Sequence, residues 1–232
     1  MVKSIFQLIF LLLGIHCNIL AQDISVLVNK TRMKIENVKD YEANGTMKTN
    51  VIFLKLPVAA VKVYYRKPNQ FKLKSQKGIS FVPKGSLNFN LNSLFAENDF
   101  TILDAGSDKI DNIPVRVAKL LPNNDNGDLI LSTLYIDPVR LLILKSKTTT
   151  KENGTYDLKM RYNKYAQYGL PDEILFSFNI KDYKLPKGVT FDFDDRSAEK
   201  NTTAMAQNKK GEVKVIFSGY EINKGLPDNV FK

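Results

Sequence analysis

The chain has 232 residues, enough to bury a substantial core in one domain, and its 44% apolar and 25% charged content is that of an ordered globular protein. Its 34 basic against 24 acidic side chains give a net charge of +10. The basic residues are spread in ones and twos, which argues against a nucleic-acid arm; the charge reads first as a solvated surface and second as an attraction to anionic membrane or an acidic partner.

Lys3, the apolar run 5–13 broken only by Gln7, and the ending Ile19-Leu20-Ala21 have the three-part form of a secretory signal peptide over residues 1–21. Its apolar core is too short to span a bilayer. Cleavage after Ala21 leaves residues 22–232 as a single exported domain. Cys17 is preceded by His16 rather than a small residue, so simple cleavage is expected over lipid attachment. Loss of the leader also removes the one Cys and the one His. The mature chain is then expected to lack disulfides, thiolate or imidazole metal sites, and any Ser-His or Cys-His nucleophile.

From 24 to 38, Ile24, Leu27, Val28, Thr31, Ile35 and Val38 recur at helical spacing, with Asn29, Lys30, Lys34 and Lys39 on the other side. One amphipathic helix is predicted, its stripe laid on a sheet. After Asp40 the helical period stops and strands follow. Residues 41–56 read as one long curved strand with a bend at Gly45. Residues 61–74, V-K-V-Y-Y-R-K-P-N-Q-F-K-L-K, alternate on both sides of Pro68-Asn69 and read as a hairpin. For Val63 and Tyr65 to share a face with Phe71 and Leu73, its connection needs an odd number of residues or a bulge.

A short strand is expected at 79–82. Residues 87–95 fit either a helical or a strand period. Strands follow at 100–103 and 113–120, with a hairpin turn at Asn126-Gly127. The neighbouring N-N-D-N-G-D is not a calcium loop, because Pro122 and Thr133 stand where its first carboxylate and closing Glu belong. Further strands are predicted at 129–136, 139–147, 156–165, 173–180 and 189–193. A polar loop follows over 194–210, then a closing strand with Val213, Val215 and Phe217.

Asp192, Asp194 and Asp195 form one tight carboxylate cluster, more simply a solvated loop end than a metal or acid-base site. Asn29, Asn44, Asn153 and Asn201 begin N-x-Thr sequons, which matter only in a eukaryotic secretory pathway. No phosphate loop is present, and no cofactor or metal is expected. Phe53, Val63, Tyr65, Phe71, Leu73, Leu158, Met160, Phe176 and Phe178 line one face of the predicted sheet, which is either filled by side chains or kept for a ligand.

Tyr65-Arg66-Lys67-Pro68-Asn69-Gln70-Phe71-Lys72, set after a leader and one amphipathic helix and before a long run of strands, resembles the signature of the LolA-like lipoprotein carriers. The Ile136-Asp137-Pro138 turn and Gly154 resemble the later half of that family. The resemblance implies a mainly β fold, a half-open antiparallel barrel with an N-terminal amphipathic helix and short lid helices. It implies an acyl-chain cavity lined by the nine apolar residues above, a lid at Leu87, Leu91, Leu94 and Phe95, and a lid latch at Lys67. The family has an Arg at that latch, and its tryptophans are missing here.

The function so implied is that of a non-enzymatic periplasmic carrier, monomeric, shielding the acyl chains of lipoproteins or another envelope lipid. Its partners would be a membrane release complex and an outer-membrane acceptor, met transiently, and no nucleic acid. Two other readings stand beside it: an envelope sensor on the same fold, and an exported hydrolase acting through the Asp192 cluster.

Overall fold

The computed structural model describes residues 23–51, 54–55, 57–75, 91–95, 99–124, 127–152, 154–179 and 210–231. The predicted leader, the strands at 79–82 and 189–193, the Asp192 cluster and nearly all of the polar loop before Lys210 lie outside the described residues, as do Phe53, Leu87 and Asn126.

Helix α1 spans Ile24–Glu36. Asp23 caps it, its side chain accepting from the Ser25 amide at 2.8 Å and its carbonyl from the Leu27 amide at 3.0 Å. Such a cap is worth about 1 kcal/mol. Ile24, Leu27, Val28, Thr31 and Ile35 are its buried stripe, as the periodicity predicts. The Thr31 hydroxyl is satisfied within the helix by donating to the Leu27 carbonyl at 2.9 Å. The helix stops two residues short of the predicted end, and Val38 is buried just beyond it.

Eleven strands follow: β1 (Asp40–Val51), β2 (Leu54–Lys55), β3 (Ala59–Arg66), β4 (Gln70–Ser75), β5 (Phe100–Ile110), β6 (Ile113–Pro122), β7 (Leu129–Asp137), β8 (Leu142–Thr150), β9 (Gly154–Arg161), β10 (Glu173–Asn179) and β11 (Lys210–Ile222). They form one sheet in the order β4-β3-β1-β11-β10-β9-β8-β7-β6-β5, with β2 attached to β1 alone. Every described pairing is antiparallel. Among the described residues edge strands β4 and β5 do not pair, so the barrel is unclosed.

The β3–β4 connection is Lys67-Pro68-Asn69, an odd count, which sets Val63 opposite Leu73 and Tyr65 opposite Phe71. Strand β8 begins at Leu142, later than predicted. Asp137 is the reason: one carboxylate oxygen accepts from the Val139 and Arg140 amides at 3.0 Å each, the other from the Arg140 guanidinium at 2.6 Å, which holds the intervening residues in a turn. Strand β5 runs seven residues past its predicted end at Leu103, through a register shift between Asp104 and Ser107. Strand β9 ends at Arg161, before the predicted Tyr165.

The bend predicted at Gly45 is a register shift in the β1–β11 ladder between Asn44 and Gly45. A side-chain carbon there would lie 2.5 Å from the Ile216 carbonyl oxygen, a backbone atom that cannot swing aside. Beyond it, Tyr41, Tyr65, Phe217, Tyr220 and Tyr165 close one end of the inner face. The Tyr41 ring lies 5.3 Å from Tyr65 and 5.4 Å from Tyr220, and Tyr220 lies 4.8 Å from Tyr165. The Tyr220 hydroxyl donates to the Pro171 carbonyl at 2.7 Å. Burial raises the phenol pKa of Tyr41 and Tyr220 and pushes that of Tyr65 up to about 12.

Gly45→Ala should therefore lower stability by about 1–3 kcal/mol, an overpacking cost read as a fall in the thermal midpoint; an unchanged midpoint would show that the β1–β11 bend is loose. The tyrosine cluster sets an alkaline limit. A phenol whose folded pKa is raised stabilises the fold fully below its unfolded value of 10.0, and that contribution is lost as pH rises from there through about 12. In an absorbance titration the buried phenolates should appear together with loss of near-ultraviolet circular dichroism, not before it.

Candidate functional site

Alternation along each strand sends one set of side chains to the concave face, and antiparallel register lines the sets up across the sheet. Val63 and Tyr65 of β3, Leu158 and Met160 of β9, and Phe176 and Phe178 of β10 are all buried in one cluster, with Phe71 and Leu73 of β4 half-buried against it. Phe176 faces Leu158 across the β9–β10 ladder, and Phe178 faces Tyr156. Their rings form a row, with 5.3 Å between Tyr156 and Phe176 and between Phe176 and Phe178. Gly211 leaves the room that the Phe178 ring takes, since a side-chain carbon there would meet the ring at 2.4 Å.

The structure adds residues the sequence did not single out for this face: Tyr41 and Met47 of β1, Leu120 of β6, and Leu134 and Ile136 of β7. Their alternation is legible, but which strands flank which is not. The strip from β7 to β8 is different. Ser132, Ser146 and Thr148 are buried there, with 3.3 Å between the Ser132 and Thr148 hydroxyls.

Of the predicted lid, Leu91, Leu94 and Phe95 form a 3-10 turn (Leu91–Phe95) and are buried in the same cluster. This turn and α1 pack together, and α1 also lies on β5 and β6. The Lys34 ammonium, near the end of α1, donates to the Arg140 carbonyl at 2.7 Å. Together α1 and the turn form the described cover of the concave face.

Lys67, the predicted latch, is exposed in the β3–β4 turn, and among the described residues its ammonium has no ion pair. The neighbouring Arg66 carries the contacts. Its guanidinium meets Gln70 at 2.6 Å, the Leu226 carbonyl at 3.2 Å and the Asp228 carboxylate at 2.6 Å, and lies 5.0 Å from the centre of the Phe231 ring. Arg66 thus ties the carboxyl-terminal segment to the outside of the hairpin.

Between Ile35, Val38, Tyr41, Tyr65, Leu91 and Tyr220 the remaining gap is ≈ 10 Å³, about the space of one water molecule. Among the described residues this end of the interior is a packed core. Among the described residues no three His, Cys, Asp or Glu side chains gather as a metal site would require, and no helix is long and apolar enough to cross a membrane.

No family model matches the sequence, and no curated relative matches it. Solved structures do. A Vibrio parahaemolyticus domain assigned as an outer membrane lipoprotein-sorting protein superposes with a TM-score of 0.59 at 9% identity, over 89% of this chain and 94% of that one. A LolA superfamily protein from Nitrosomonas europaea gives 0.56 at 10% identity, over 88% and 97%. A DUF1329 family protein from Desulfovibrio piger gives 0.52 at 12% identity, over 89% and 94%. An unclosed antiparallel sheet of this order with a helix against its concave face is the open barrel of the LolA-like proteins, and that is the fold of this chain.

Proposed function

We propose that this chain is an exported, non-enzymatic binding protein for lipid acyl chains, a soluble carrier that shields lipoprotein or envelope-lipid tails between membranes. The observation that carries the reading is the largely apolar concave face of an unclosed sheet, covered among the described residues by one helix and one short turn. Likeness in fold to a domain assigned to lipoprotein sorting supports the class of cargo. The acyl compartment is assigned to Val63, Tyr65, Phe71, Leu73, Leu158, Met160, Phe176 and Phe178, and the movable cover to Leu91, Leu94 and Phe95.

Where the described side chains pack under the cover, a tail can enter only by taking over surface that the cover now buries. Uncovering Leu91, Leu94 and Phe95 costs roughly 4.5–9 kcal/mol at about 1.5–3 kcal/mol each, and a buried methylene returns about 0.8 kcal/mol. Roughly six to eleven methylenes then offset the opening.

Fatty acids should accordingly bind the purified chain with a steep dependence on length, weakly at about six carbons and firmly beyond about twelve; isothermal titration or native mass spectrometry reads the series. Binding that ignores length, or no lipid in solvent extracts together with no binding of an acylated peptide, removes the carrier reading. Capture of an envelope receptor by a lipid-free chain would make it a sensing module instead.

Leu94→Ala tests the cover itself. It weakens the closed arrangement by about 2–5 kcal/mol and raises the fraction competent to bind. Shorter fatty acids should then bind the variant. Loss of binding at all lengths in a folded variant would show that Leu94 belongs to the ligand site and not to its cover.

A further inference from the structure

The outward face of the sheet, turned away from α1, carries a feature that the interior does not explain. Residues of β5 to β9 line an open groove of ≈ 570 Å³ there. Register sets Lys119 of β6 opposite Thr133 of β7, and Thr133 opposite Lys147 of β8. With neighbouring strands about 4.8 Å apart, two lysine stems stand about 10 Å from each other with one hydroxyl between them. Thr133 is only 9% exposed, and among the described residues its hydroxyl has no hydrogen-bond partner.

The other cations of this region are engaged. Lys159 pairs with Asp111 at 2.8 Å, Arg161 approaches Glu173 at 3.8 Å, and Lys145 lies 3.9 Å from Asp157 and 5.3 Å from the centre of the Tyr135 ring. Lys119 and Lys147 both line the groove, and among the described residues neither ammonium has an ion pair. Two carboxylates stand near them: Asp157, opposite Lys147, lies 3.9 Å from Lys145, and Asp108 in the groove wall accepts from the Lys109 amide at 2.7 Å.

Two aliphatic side chains stand beside Lys119 on the same face. Leu103 sits opposite Lys119 on β5 and is 47% exposed, and Leu121 lies two residues along β6 on the same side as Lys119 at 37%. A lone exposed aliphatic residue means nothing. Two of them next to two cations without a salt bridge match a bilayer surface, where phosphates lie level with the start of the acyl layer. We infer that this outer groove docks the chain on an anionic membrane, with a lipid phosphate held between Lys119 and Lys147 and with Leu103 and Leu121 entering the interface. The excess of basic over acidic side chains would steer the approach. This site is separate from the acyl compartment, so it stands or falls independently of what the interior holds.

Flotation of the purified full chain with vesicles tests it. Vesicles of phosphatidylcholine with one quarter phosphatidylglycerol should bind the chain and pure phosphatidylcholine vesicles should not. The double variant Lys119→Gln, Lys147→Gln should bind the anionic vesicles roughly tenfold or more weakly, in line with the usual contribution of two juxtamembrane lysines. The pair Lys48→Gln, Lys224→Gln removes the same charge elsewhere and should change binding by less than about twofold. Leu103→Ser, Leu121→Ser should also weaken vesicle binding in a chain whose circular dichroism is unchanged. Equal loss in both lysine pairs would reduce the effect to net charge and overturn the site. Binding of inorganic phosphate alone at the groove, with no preference for anionic vesicles, would overturn the membrane as its occupant.

Discussion

The concave face of the sheet is apolar in nearly every strand and its two edges do not meet, and the remaining architecture answers to that constraint. A closed barrel buries one face by curvature alone; an open one leaves part of that face to be covered by something else. Helix α1 does this with Leu27, Val28 and Ile35, and the Leu91–Phe95 turn with Leu91, Leu94 and Phe95. The sheet itself is held at its long seam, where β1 and β11 join the two ends of the chain over ten residue pairs. Asn223 reinforces that seam, its side-chain oxygen accepting from the Lys39 amide at 2.7 Å and its backbone amide donating to the Asp40 carbonyl at 2.9 Å. The seam is rigid because it is hydrogen-bonded and local in space; the cover is tied mainly by apolar contact.

Much of this was legible in the residues. The helix stripe from Ile24 to Ile35 is a 3.6-residue period, and Tyr156 to Met160 and Ile174 to Phe178 alternate without a break, so element type and buried face follow from spacing. The β3–β4 hairpin was legible up to its register, which a count of three turn residues completes. What spacing does not carry is a side chain that competes with the backbone. Asp137 takes two amides of the next turn and delays β8 by three residues, and nothing in Val139 itself announces that. Nor does spacing carry pairing over long separation. That β11 returns to lie beside β1, placing Val213, Val215 and Phe217 among the lining residues, is a consequence of assembling the sheet as a whole.

In the β3–β4 turn the described side-chain contacts belong to Arg66 and not to its neighbour Lys67. Alternation puts Arg66 and Lys67 on opposite sides of the chain, and in the turn Lys67 is carried into solvent. Arg66, on the outer face of β3, has a planar head with several donors, which suits a carbonyl, an amide, a carboxylate and a ring at once. A lysine in its place could serve one or two of these. The hairpin is therefore pinned to the carboxyl-terminal segment from outside, and the interior cover owes nothing to that clamp among the described contacts.

The separation of charge between the two faces bears directly on whether the cover can move. Glu42 with Lys62, Lys145 with Asp157, Lys159 with Asp111, and Glu173 with Lys214 and Arg161 all stand on the outer face, where water screens them and each is worth little. Among the described residues, those under α1 and the 3-10 turn carry no such pairs. Breaking a buried ion pair strands a charge and costs far more than the pair contributes, whereas parting apolar surfaces costs only in proportion to area. The apolar underside of the cover thus makes its opening a graded event that a second apolar surface can substitute for. Among the described contacts, Lys34 also tethers the end of α1 to the Arg140 carbonyl. A cover held in this way fits the proposed function, in which it closes over the core when empty and yields to a hydrocarbon tail when one is offered.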